Sequence, residues 1–275
     1  MQDSDEPSAD FEADAADTDQ ALRATLDALG LHTLADLKTR VQPLVRQATR
    51  LRVAAPKPPP EDAELKSHFG GLPYCEADEI WPQRSNGTPL HFVFQIFNRS
   101  DLEIPDSIRL IQFYYDLQGE LSFDTDDDGW HVRIYKTLSV ANQVKAAPPE
   151  ALDTVPYCDI QFETIESLPD WEGLPLFDSA AADLSCVLDT NAPWESYQQI
   201  VQAQNNESDF TSQLGGYPQW IQSESTPEAE NGQPMRLLFQ IDSGHSAEVM
   251  WGDLGLVYVF YDETSDRMEF TLQSC

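Results

Sequence analysis

One stretch of this chain is written twice. Ser67-His-Phe-Gly70-Gly71-Leu-Pro73 recurs as Ser212-Gln-Leu-Gly215-Gly216-Tyr-Pro218, at an offset of 145 residues. Gly87-Thr-Pro89-Leu-His-Phe-Val-Phe94-Gln95-Ile96 recurs at the same offset as Gly232-Gln-Pro234-Met-Arg-Leu-Leu-Phe239-Gln240-Ile241. Leu110-Ile-Gln-Phe-Tyr-Tyr115-Asp116 recurs as Leu256-Val-Tyr-Val-Phe-Tyr261-Asp262 at offset 146, and the pair Leu121/Phe123 as Met268/Phe270 at 147. One long offset that drifts so little is the mark of an internal duplication, and it constrains architecture more than activity.

The repeated segments read as strands. Leu90, Phe92, Phe94 and Ile96 alternate with His91, Val93 and Gln95, and the second face is also partly apolar, as in a central strand. Ile108 to Tyr115 reads as the next strand, Leu121 to Phe123 as a short one, and His131 to Tyr135 as another. A unit of about four short strands leaves open edges and an uncovered apolar face, and two units packed together remove both problems. The expected fold is α+β and β-rich. Two pseudo-symmetric antiparallel sheet units, about 67–137 and 212–275, share a core in one compact domain over 61–275, with helices N-terminal to it. Residues 146–193 are poor in regular signals and connect the units. Trp194 to Asn206 reads as a helix with Trp194, Tyr197, Ile200 and Val201 on one face.

Ahead of the duplication, residues 1–18 read as a disordered acidic tail. Residues 19–60 read as a helical preface and a proline-rich linker. Leu22, Leu26 and Leu29 have helical spacing, with Gly30 placed to end the turn. Thr33 and Asp36 resemble a capping box, followed by Leu34, Leu37, Val41, Leu44, Val45 and Ala48 on a helix that Pro43 kinks or splits. Arg40, Arg46, Arg50 and Arg52 make this the basic stretch, read either as a helix offsetting the acidic body or as a docking helix.

The charge restricts partners. The chain has 16 Lys/Arg against 48 Asp/Glu, a formal charge of −32, and residues 67–275 carry 8 against 35, net −27. Such a field repels nucleic acid and anionic membranes and attracts a basic protein, unless it serves solubility alone. Cys75, Cys158, Cys186 and Cys275 form no ligand pattern. With an acidic N-terminus unlike a signal peptide and no apolar run near the roughly 18 residues of a membrane span, they imply a cytoplasmic chain of free thiols.

Few residues offer chemistry. The histidines His32, His68, His91, His131 and His245 lie in no catalytic motif, and the mate of His68 is Gln213. The Gly-Gly pairs precede proline and a strand rather than a helix, so they read as backbone devices and not as a phosphate cradle. Gln95 and Gln240, inside apolar strands, are either structural amides or polar groups facing a shared cleft. Trp81, Tyr217, Trp220 and Trp251 either cap a core or line that cleft, and the unrepeated turn Trp251-Gly252-Asp253 is a further candidate. Asp124-Thr-Asp126-Asp127-Asp128-Gly129 matches the first half of a calcium loop, yet Tyr135 stands where the bidentate Glu belongs. The alternatives there are an acidic hairpin turn and a calcium site on Asp124, Asp126 and Asp128; no other cofactor is expected.

These motifs together resemble the YwqG-like domain family of unknown function over about residues 65–275. The resemblance rests on Gly215-Gly-Tyr-Pro-Gln-Trp220-Ile-Gln222, on Pro234-Met235 through Gln240-Ile241-Asp242, and on Trp251-Gly252-Asp253 before the final strand. It implies a bacterial, cytoplasmic, β-rich protein with helical caps and no established catalytic residues. Because some members lie near toxin genes, it also suggests an immunity-like binding role. Members with Cys-x-x-Cys-Gly before the Pro-Met strand differ from this chain, where Glu228 to Gly232 holds no cysteine. Two functions follow: a non-catalytic protein-binding module for a basic partner, or a small-ligand or metal binder using a cleft between the repeats. An enzyme is the less favoured reading.

Overall fold

The computed structural model describes residues 20–150, 152–205, 212–243, 247 and 249–275. The expected acidic tail and His245 lie outside the described residues. Contacts divide the chain into a helical unit and a β unit.

The helical unit, described over 20–45 and 168–205, holds α1 over residues 20–29, α2 (Leu34–Val41), α3 (Leu174–Phe177), α4 (Ser179–Leu188) and α5 (Pro193–Asn205). The capping box of α2 is formed: Asp36 N donates to Thr33 Oγ1 at 3.2 Å and Thr33 N to Asp36 Oδ2 at 2.9 Å. Leu26, Leu37, Val41, Leu174, Leu184 and Tyr197 form its core. On α5 the buried face is Tyr197 and Ile200, whereas Trp194 in the first turn stays exposed. Two of these helices, α3 and α4, fall in the stretch 146–193, which is poor in regular signals. Asp178 caps α4 by accepting from Ala181 N at 3.1 Å, and Arg40 holds the same carboxylate.

The helix expected to continue to Ala48 stops at Val41. Pro43 brings no N–H, the chain makes one tight turn at Gln42–Leu44, and Arg46–Val53 becomes strand β1. Leu44, Val45 and Ala48 keep helical spacing, but pairing on both sides overrides it. Of the basic stretch, Arg46, Arg50 and Arg52 therefore lie on a strand and Arg40 on α2. Arg50, buried, and Arg52 share the Glu163 carboxylate of the neighbouring strand at 3.3 and 3.1 Å, so the offsetting of acidic charge happens inside the sheet.

The β unit contains β1, β2 (His68–Phe69), β3 (His91–Phe97), β4 (Leu110–Tyr115), β5 (Trp130–Tyr135), β6 (Cys158–Ser167), β7 (Gln213–Gly215), β8 (Arg236–Asp242), β9 (Leu256–Asp262) and β10 (Arg267–Gln273). All pairs are antiparallel, in the order β10-β9-β8-β7-β1-β6-β2-β3-β4-β5. The ten-residue β6 also lies in that signal-poor stretch. Its Ile160 and Phe162 pack against the core while Gln161 and Glu163 face outward.

The register of β3 on β4 shifts between Phe92 and Phe94, and that of β8 on β9 between Leu237 and Phe239. The last correspondence differs from expectation. Leu121 to Phe123 is not a strand. Tyr115 pairs with Trp130 as Tyr261 pairs with Met268, so β5 corresponds to β10 at an offset of 138, not 147. The β4–β5 connection is thus eight residues longer than the β9–β10 connection. The extra length crosses to β10, where Phe270 N donates to Thr125 Oγ1 at 2.8 Å and Leu272 N to Phe123 O at 2.9 Å. The end strands also meet through Trp130, stacked on Phe270 with ring centroids 4.9 Å apart, and through Lys136 with Asp266 at 2.6 Å.

Candidate functional site

The repeated polar residues make repeated bonds. Gln95 Oε1 accepts from Tyr74 N at 2.8 Å, and Gln240 Oε1 accepts from Gln219 N at 3.0 Å, at positions one offset apart. The carbonyls of the same two residues are bonded from the next strand, Tyr74 O by Gln112 Nε2 and Gln219 O by Tyr258 Oη, each at 2.7 Å. Ser67 Oγ accepts from Phe97 N at 2.9 Å and Ser212 Oγ from Asp242 N at 3.0 Å. Both amides are fully buried and pin the chain just after the Gly-Gly-x-Pro turn. The Gly-Gly turn itself needs its glycines. Gly70 and Gly215 have φ of +58° and +62°, and a Cβ on Gly70 would collide with the Pro156 carbonyl oxygen.

The six residues expected around a cleft are not brought together. Phe94, Phe113, Phe239 and Trp251 fill the space between the halves, with the Phe94 and Phe239 rings 5.1 Å apart. A solid core stands where the cleft was expected. Trp251 is fully buried against Tyr115, and Tyr217 is buried beneath the Arg46 guanidinium at 4.1 Å from its ring. Burial pushes the Tyr217 hydroxyl up from the usual phenol value, opposed by Arg46. Asp253 is exposed, and its carbonyl accepts from Cys275 N at 3.1 Å.

The aspartate loop turns its carboxylates to local work. Asp128 binds Arg84 at 3.0 Å and Ser85 N at 2.9 Å, Asp124 Oδ1 accepts from Asp126 N at 3.0 Å, and Asp127 caps Phe123 N at 2.6 Å. Among the described residues no group of three His, Cys, Asp or Glu side chains is placed to hold a metal ion.

Two of the cavities of the β unit are lined by several polar side chains. One, of about 170 Å³, lies over Tyr114 and is lined by Cys75, Ile80, Trp81, Arg133 and Val144 among others. Trp81 meets Tyr114 edge-on at 5.7 Å and is fixed by Nε1 donating to Leu90 O at 2.8 Å. Arg133 lies over the Tyr114 ring at 5.7 Å and binds Glu79 at 3.2 Å. Burial pushes the Cys75 thiol up, with Glu79 adding to the effect, which makes it a poor nucleophile. The other cavity, of about 440 Å³, is lined by Arg84, Thr88, His91, Asp116 and Gln118 among others. Its Arg84 Nε–Asp116 Oδ2 pair is at 2.5 Å. His91 is 4% exposed; its Nδ1 accepts from Leu117 N at 3.3 Å, and its Nε2 has no hydrogen-bond partner among the described residues. Burial lowers its pKa, so the ring is neutral at pH 7.

Neither cavity was found from sequence, apart from Trp81. The signal for the first was available in the repeat itself, since Cys75 stands where the second half has Trp220.

No helix among the described residues is long and apolar enough to cross a membrane. A ten-stranded antiparallel sheet with its repeated polar pins defines a β-rich domain. The chain belongs to the family described as Domain of unknown function (DUF1963), which matches residues 67–267. The YwqG-like resemblance is consistent with that family. No curated protein matches the chain.

Proposed function

We propose that this protein is a non-catalytic binding module that engages a basic protein partner, in an immunity-like or regulatory role in a bacterial cytoplasm. The carrying observation is the uncompensated charge from residue 67 onwards, across the second half of the helical unit and most of the β unit. Residues 67–275 hold a net −27, and five of their eight cations, Arg84, Arg99, Arg133, Lys136 and Arg267, are already held by carboxylates. The remaining carboxylates project a field that accelerates and orients the approach of a basic surface. On this reading the two halves are copies of one sheet unit about a pseudo-two-fold, supported by the bonds of Gln95/Gln240 and Ser67/Ser212 recurring at one offset. Affinity capture with the full chain at low and high salt tests the reading. A basic partner lost steeply as salt rises supports it; no partner at any salt sinks it.

A second reading, binding of a small polar ligand, is favoured by the cavity of about 440 Å³ that Arg84, Thr88, His91, Asp116 and Gln118 line. Its test is a thermal-shift screen of small polar compounds. A hit that loses its shift in His91→Ala supports it, and a hit that keeps its shift there argues against this cavity.

A further inference from the structure

The two halves differ over one patch of the sheet's outer face. In the second half Trp220 lies on Tyr258 at 4.6 Å and on Phe260 at 6.0 Å, and joins them with Met235, Leu237 and Leu256 into one buried cluster. The corresponding residues of the first half are Gln112, Tyr114, Leu90, Phe92 and Leu110, and they do not form one cluster. Leu90, Phe92 and Tyr114 pack with Trp81, while Leu110 packs separately with Tyr74 and Tyr135. Between them, where Trp220 would lie, the first half has Cys75 and the cavity of about 170 Å³ floored by Tyr114. The second half fills its own depression with an indole, and the first half leaves the same depression open.

We propose that this opening receives an aromatic side chain from a basic segment of a partner protein, set against Trp81 and Tyr114 beside the Arg133 guanidinium that lies over the Tyr114 ring. The proposal rests on the protein-binding reading and gives it a site. The surroundings fit such an occupant. Cys75–Ile80 runs beside Val140–Val144, joined by Val144 N donating to Cys75 O at 2.9 Å and Ala77 N to Asn142 O at 2.8 Å. These paired segments expose Ile80 at 78%, Val140 at 68% and Val144 at 44%. Large apolar side chains grouped around a depression are the form of a docking site. Glu76, Asp78 and Glu79 line the same cavity, along with Arg133 and Lys145. With three carboxylates against two cations, this rim is acidic and favours cations flanking the aromatic anchor.

The test uses the full chain, a lysine-rich peptide with a single central tryptophan, and its alanine counterpart, with binding followed by calorimetry at low salt. The tryptophan peptide is expected to bind about tenfold tighter than the alanine one. Cys75→Trp, which fills the opening from within, is expected to remove that margin and leave the alanine peptide's affinity unchanged. Ile80→Ser, at an exposed position where folding is not at risk, is expected to shrink the margin. Equal, salt-sensitive binding of both peptides overturns the site and leaves the acidic-module reading standing. A margin that survives in both variants also overturns the site, and no binding of either peptide overturns site and reading together.

Discussion

His68 and Gln213 make the same bond with different chemistry. His68 Nδ1 donates to the Gly70 carbonyl at 2.8 Å, and Gln213 Nε2 donates to the Gly215 carbonyl at 3.0 Å. An imidazole and an amide thus close the Gly-Gly turn at corresponding positions, and the histidine's role there needs no proton transfer.

The imidazole brings a pH dependence that the amide lacks. Burial lowers the His68 pKa from 6.5 to about 4, against smaller opposing effects from the Gly70 and Phe69 backbone and from Asp159 and Glu64. The unfolded state therefore binds the extra proton first. Stability is full above pH 6.5 and falls as pH drops from 6.5 towards 4, by about 3 kcal/mol in all. His68→Gln is expected to keep the fold and reduce the acid slope by that share, leaving the part that buried His91 contributes. Urea midpoints measured across the same pH range check it, and an unchanged slope in the variant would refute it.

Gln95 should be costly to lose. Gln95→Leu strips the partner from Tyr74 N and leaves a buried donor unmet, at about 1–3 kcal/mol. Gln240→Leu is expected to cost a similar amount through Gln219 N. Denaturant midpoints of the two variants provide the comparison.

The glycines divide into two kinds. Gly87 has φ +90° with nothing within 4 Å of a notional Cβ, so Gly87→Ala should cost only the left-handed backbone term, about 1–2 kcal/mol. Gly70→Ala adds a collision with Pro156 to the same term and is expected to cost clearly more. Equal melting temperatures for the two variants would contradict this.

Thr125→Val removes the acceptor of Phe270 N and is expected to lose about 1 kcal/mol. It should also speed amide exchange at Phe270, while exchange within β8 stays as it was. Calcium titration of the full chain is expected to give no heat at millimolar metal, because Arg84 and Ser85 already occupy Asp128.

Much of the β unit was legible because its strands alternate and because the motifs recur. What escaped did so for identifiable reasons. Arg46–Val53 carries helical spacing across Pro43, and only its pairing with β6 and β7 makes it a strand. The alternation of Ile160 and Phe162 in β6 was hidden among prolines and aspartates. The pair Leu121/Phe123 imitates Met268/Phe270 by composition, while the true counterpart β5 lies beyond the longer connection. At the candidate site, the aromatic residues that drew notice were mostly core. The informative position was Cys75, where the expected aromatic is missing, and a substitution between repeats is visible only when the copies are laid side by side.

The loop across β10 has a consequence for how this protein can meet others. By taking up the amides of Phe270 and Leu272, it turns an outer strand into a sewn hem. A visiting peptide cannot extend the sheet there by main-chain pairing, the mode that reads little of a partner's sequence. Contact at that margin is left to side chains, whose shape and charge are far more selective than a bare row of main-chain groups.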